Sequence, residues 1–185
     1  MTARSITGLF VAAAFAAVVP FANGAPEQAP TPAPEMSSLK FFDGSWTCEG
    51  TMPPSPMGPG GKTTTSVKSH TDLGGFWQSG RVKSTMTGMP SMEGMFHMTY
   101  DPGAKQYVML WVDNMGAWAK STAAGWEGDK IVFSGEVAMG GKTMMSRETF
   151  VKGADGSFKR DSEGQMEGKW VPMGNETCKK AAAKK

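Results

Sequence analysis

Phe42-Asp43-Gly44-Ser45-Trp46-Thr47-Cys48-Glu49-Gly50, near the start of the folded part, has a counterpart near its end in Glu167-Gly168-Lys169-Trp170, followed by Cys178. Each segment reads as a strand opened by Gly-x-Trp, and each carries one of the two cysteines of the chain. If these first and last strands are neighbours, the sheet between them closes into a barrel, which removes every exposed edge. A closed antiparallel barrel with an interior points to a small-molecule binder more than to a catalyst.

The cysteines bear on the same question. Joining Cys48 to Cys178 closes a loop of about 130 residues, worth on the order of 4–5 kcal/mol in the chain-entropy model, and needs Cα atoms within about 7 Å. The bond would therefore set the two end strands side by side. Two free thiols, or partners in separate molecules, are the alternatives. The oxidising compartment that a disulfide needs agrees with the N-terminus. There Arg4 precedes an apolar run from Ile6 to Val19, Pro20 breaks it, and Ala22-Asn23-Gly24 offers small residues for cleavage before Ala25. This reads as a signal peptide over 1–24. Its apolar run is shorter than the roughly twenty residues of a spanning helix, and no later segment can span a membrane. The expected destination is the periplasm or the exterior.

Residues 25–36, opening Ala25-Pro26-Glu27-Gln28-Ala29-Pro30, read as an extended Pro/Ala-rich linker. Residues 179–185 read as a basic, disordered tail, and 37–178 as one β-barrel domain with enough chain to bury a core. Arg4 is the one charged residue of the signal, so 18 Lys+Arg face 17 Asp+Glu in the mature chain. No basic stripe interleaved with aromatics is present, which argues against a nucleic-acid partner.

Glycine is abundant, helix-length apolar periodicity is missing, and short alternating runs recur about every ten residues. Strands are expected near 44–52, 62–72, 76–87, 92–101, 105–113, 116–124, 129–139, 142–152, 156–164 and 167–178. Between them stand turn sequences such as Asp101-Pro102-Gly103, Glu127-Gly128-Asp129, Gly140-Gly141 and Asp155-Gly156. The fold class is all-β: a closed, up-and-down antiparallel barrel of about ten strands, with a sandwich as the runner-up. Phe76, Gln78, Gly80, Val82, Ser84 and Met86 share one face of the third strand, and Ile131, Phe133, Gly135, Val137 and Met139 one face of the seventh. Both faces are expected to point inward, with Gly80 and Gly135 marking sharp coiling. Tyr107-Val108-Met109-Leu110-Trp111-Val112 is apolar on both faces. Pro53-Pro54-Ser55-Pro56-Met57-Gly58-Pro59-Gly60-Gly61 reads as a loop at one mouth, a plain connector or a lid.

The chain resembles the uncharacterised bacterial domain-of-unknown-function family numbered 1579, whose members look like lipocalin-type (calycin) barrels. The resemblance covers most of 37–178. It rests on Leu39 and the Phe42–Gly50 segment, on Met98-Thr99-Tyr100-Asp101, on Tyr107–Asp113, on Arg147 and on Glu167-Gly168-Lys169-Trp170. It implies the barrel and a cavity, and brings no established activity. The haem-binding nitrobindin barrels also begin this way and hold iron through a histidine late in the chain. Here both histidines, His70 and His97, fall in the first half of the 37–178 domain.

Signatures of catalysis are sparse. Gly-x-Ser-x-Gly, His-Glu-x-x-His and Gly-rich phosphate loops are absent. His97 and Asp101 share a strand face but stand about 13 Å apart along it. The chain is read as a non-enzyme. Its sixteen methionines are the oddity: Met86, Met89, Met92, Met95 and Met98 recur every third residue, with His97 beside the last. Thioethers and imidazole suit copper, so Met86, Met89, Met92, Met95 and His97 form a candidate metal set. The plainer reading is flexible apolar filling, and a period of three on a strand sends successive side chains to opposite faces. The leading function is non-catalytic binding of a small, apolar or amphipathic ligand. Trp46, Met98, Tyr100, Trp111 and Trp170 would form its walls and Arg147, which alternates with Met145 and Thr149, its polar contact if it projects inward; an acidic partner within the chain or an outward placement is the alternative. Alternatives are a periplasmic copper binder and an envelope interaction module without ligand, for which the two-sided strand 107–112 is the support.

Overall fold

A computed structural model describes residues 29–55 and 58–181; the signal, residues 25–28 of the linker, Pro56 and Met57 of the Pro/Gly loop and residues 182–185 lie outside the described residues. A 3-10 helix, Pro34–Phe42, leads into β1 (Gly44–Met52), β2 (Gly61–Asp72), β3 (Trp77–Met86), β4 (Met92–Asp101), β5 (Gln106–Asp113) and β6 (Trp118–Ala123). Then come β7 (Trp126–Glu127), β8 (Lys130–Met139), β9 (Lys142–Lys152), β10 (Phe158–Met166) and β11 (Lys169–Lys180). Every pairing is antiparallel between chain neighbours, except that β6 pairs with β8 and β1 pairs with β11. Those two pairings close ten strands into an up-and-down barrel. β7 is a two-residue strand beside β8. A sandwich would leave long open edges; among the described strands only the two-residue β7, paired on one side with β8, has one.

The closing seam is the one the end motifs predict. Cys48 stands directly opposite Cys178 and the two form a disulfide across 130 residues of chain, with Cα atoms 3.9 Å apart. The expected strands are all present, with two boundary corrections. β11 runs on to Lys180, so Lys179 and Lys180 belong to the barrel and not to a tail. Lys180 Nζ sits 4.0 Å from the Trp46 ring centre and donates to the Asp43 carbonyl, which ties down the strand end.

The second correction is at the start. Pro34–Met36 are not linker but the first turn of the 3-10 helix, whose buried side chains are Met36, Leu39 and Phe42. A spacing of three matches the three residues per turn of this helix, so the apolar side chains eclipse on one side. That side plugs the barrel end where β1 begins and β2 ends. Phe42 packs on Phe150, Phe158 and Trp126, and its carbonyl accepts from Trp46 Nε1 at 2.8 Å and from Ser69 Oγ. Tyr107 Oη meets Ser38 Oγ at 2.8 Å, and Trp126 Nε1 donates to the same hydroxyl at 3.2 Å. Lys152 lies 3.7 Å above the Trp126 ring, where burial lowers its amine pKa. Fully burying Leu39 alone stabilises the plug by about 1.5–3 kcal/mol.

Alternation behaves as read on β3 and β8: Gln78, Gly80 and Val82 are buried, as are Ile131 and Phe133. The in-strand glycines also serve close approach. A Cβ at Gly80 would lie 2.3 Å from the Phe96 ring, and one at Gly94 would lie 2.3 Å from the Trp111 ring. Each glycine is the floor on which an aromatic ring of the next strand lies flat along the wall. On β5 Tyr107 and Met109 are buried, while Val108 and Leu110 are half-buried on the outer side and Val112 is exposed. No helix among the described residues is long and apolar enough to cross a membrane.

Candidate functional site

Above the plug the barrel encloses a cavity of about 310 Å³. Phe42, Trp46, Phe150 and Phe158 form its floor; Val67, Phe96, Met98, Met109 and Trp111 line its walls; Met92, Met139, Met144 and Met173 stand toward the other end. The volume is at the lower end of the roughly 300–1,000 Å³ of ligand sites. A smaller recess of about 140 Å³ continues from it beneath Pro53 and Ser55, walled by Thr63, Thr65, Ser84, Arg160, Ser162 and Glu176. Pro53 and Ser55 of the Pro/Gly loop therefore stand at a barrel mouth, over polar wall.

The polar centre of the cavity is Arg160 on β10. Its Nε lies 2.9 Å from Glu148 Oε2 and its Nη1 3.3 Å from Glu176 Oε2. Glu148 Oε1 accepts from Ser162 Oγ at 2.7 Å, and Glu176 Oε1 accepts from Thr65 Oγ1. Arg160 borders both the cavity and the recess, and a third of its side chain remains accessible. The charge of Glu148, foremost, holds its guanidinium pKa up against desolvation, with Glu176 adding to it.

Sequence reasoning assigns this role to Arg147, and the structure corrects it. Met144, Ser146, Glu148 and Phe150 line the cavity, so Arg147 stands on the other face of β9. There it forms a two-pronged ion pair with Glu163, at 2.5 and 2.9 Å, and stacks 4.5 Å from the centre of the Trp170 ring. Trp170 is thus also an outer-wall residue. Tyr100 packs beside the plug, edge-on to Tyr107, and does not border the cavity. Trp46, Met98 and Trp111 do line it as expected. The hydrogen bonds from Arg147 hold the Glu163 carboxyl below the usual carboxylate range, against a smaller upward push from burial. A depressed carboxyl stabilises the fold above its unfolded pKa of about 4.3 and stops doing so as pH falls through the lower folded value. The stability difference between wild type and Glu163→Gln should accordingly shrink on acidification across that window, and shrink at neutral pH with added salt. Urea titrations at several pH values measure it.

The candidate copper set is divided by the fold. Met92 points into the lumen, whereas Met95 and His97 stand on the outer wall, where His97 Nδ1 pairs with Ser79 Oγ at 2.9 Å. Met86 ends β3, and Met89 lies in the following turn near Gly58. The methionines that do converge are remote in sequence: Met144 and Met173 both contact the space above Gly164. The local run contributes only Met92 and Met98 to a cavity lined by six methionines from five strands. Cys48, Glu176 and Cys178 lie close together, but the sulfurs are joined to each other.

Comparison with known proteins agrees with the architecture. The family described as "Protein of unknown function (DUF1579)" matches residues 31–177, and the chain belongs to it. The match begins before the 3-10 helix and so includes the plug. The crystal structure of Rv2717c from M. tuberculosis is similar with a TM-score of 0.62 at 11% identity, covering 81% of this chain and 99% of that one. At that identity the likeness concerns the fold alone. No curated protein matches the chain.

Proposed function

We propose that this DUF1579 protein is an exported, non-catalytic carrier whose barrel holds a small, largely apolar ligand. The observation that carries the reading is the 310 Å³ cavity, walled by aromatic and methionine side chains around one polar cluster. That combination of a mainly apolar wall and few convergent polar groups is what ligand pockets share. Methionine adapts its shape to different occupants. The apolar leader before Ala25 and the disulfide across the seam both favour export. The charged side chains of the lumen already have partners, Arg160 with Glu148 and Glu176, Glu163 with Arg147 and Asp113 with Trp111, a poor arrangement for general acid–base work, which favours binding over catalysis.

Two measurements test it. Native mass spectrometry of protein taken from the periplasm should give a chain beginning at Ala25, two protons lighter than its reduced form, with organic mass retained. Titration with the neutral fluorophore 1-aminoanthracene should show binding to wild type. Ser121→Phe, which puts a ring into the lumen at a small buried position, should reduce that binding at least about tenfold while the barrel stays folded. A folded wild-type barrel that does not bind the fluorophore, and carries nothing from the cell, overturns the carrier reading.

A further inference from the structure

We infer that the cavity selects ligands with a cationic or hydrogen-bond-donating head and rejects anionic amphiphiles such as fatty acids. The inference rests on the carrier reading and names its ligand class. Arg160 is the one cation among the described lumen-lining residues, and two carboxylates, Glu148 and Glu176, already hold it. One guanidinium against two carboxylates leaves the cluster with an excess negative charge. The remaining lining carboxylates do not reverse this sign. Glu163 is neutralised from outside by Arg147, and Asp113 accepts from Trp111 Nε1 and from two backbone N–H groups at the rim.

A second observation places the head. Thr63 Oγ1 has no hydrogen-bond partner among the described residues, although the residue is only 7% exposed. It lines the small recess beside Glu176 and Arg160. A buried hydroxyl without a partner costs free energy, and a ligand head in the recess would supply that partner. An ammonium or hydroxyl there would reach the Glu176 carboxylate and Thr63, with its chain directed along Phe96 and Trp111. A carboxylate there would stand beside that excess like charge and be repelled by it. An arginine in a barrel lumen ordinarily suggests an acid ligand; here its charge is already taken.

Displacement of 1-aminoanthracene by decylamine, decanol and decanoate at neutral pH tests this on the full mature protein. Decylamine should displace at least about tenfold more tightly than decanoate, with decanol between. Added salt should weaken decylamine and leave decanol unchanged. Glu176→Gln should narrow the ratio, and Glu148→Gln serves the same purpose if the first variant does not fold. Decanoate binding as tightly as decylamine, or a ratio that neither salt nor either variant changes, overturns the inference while the carrier reading stands. A fluorophore that never binds overturns both.

Discussion

Methionine in place of Arg160 should destabilise the barrel by about 3 kcal/mol, the lower end of what removing one partner from a buried ion pair costs. Arg160 stands between Glu148 and Glu176 at 2.9 and 3.3 Å. Without it two carboxylates stand on the strands either side of β10, with Ser162 and Thr65 as their side-chain hydrogen-bond donors among the described residues. The lower end applies because the lumen is open enough to admit water to the guanidinium. At roughly 2–4 °C per kcal/mol for a chain of this size, the melting midpoint should fall on the order of 10 °C. The triple variant R160M/E148Q/E176Q should recover most of the loss, since it removes the charges together. Thermal and urea unfolding of the single and triple variants decide the matter. A single variant as stable as wild type would show that the three groups are not coupled.

Removing the seam bond should have a comparable effect. Cys48 and Cys178 are fully buried and directly paired across β1 and β11. Replacing both by alanine releases 130 residues of unfolded chain from the constraint, about 4–5 kcal/mol in the chain-entropy model, and leaves two small cavities in the wall. The closing hydrogen bonds between β1 and β11 remain available, so the variant should still form a barrel. Its midpoint should fall by more than 10 °C, and the unreduced wild type treated with dithiothreitol should move the same way. A reduced protein that melts with the oxidised one would contradict the role of the bond.

The strands were legible because each is short, alternating and bounded by turn residues, so period and punctuation agree. Closure was legible from the two Gly-x-Trp ends and the cysteine beside each. The plug is hidden in the sequence although Met36, Leu39 and Phe42 are spaced by three, because Pro34 and the Pro/Ala run before it have the composition of a spacer. The strand that carries the lumen arginine is ambiguous in the sequence for a related reason. In Met144-Met145-Ser146-Arg147-Glu148-Thr149-Phe150 both faces mix polar and apolar residues, so alternation alone does not orient the strand. The usable signal was Phe150, which shares its face with Glu148, and Phe158, which shares its face with Arg160 and Ser162.

By itself the sequence determined the ten closing strands and the inward faces of β3 and β8. These depend on period two and on local turn chemistry, which any short window of residues carries. Tertiary structure decided which arginine faces the lumen, which methionines meet, and what seals the end. Arg160 with Glu148 and Glu176, and Met144 with Met173, are brought together across strands by register, and register is set only when the whole sheet closes.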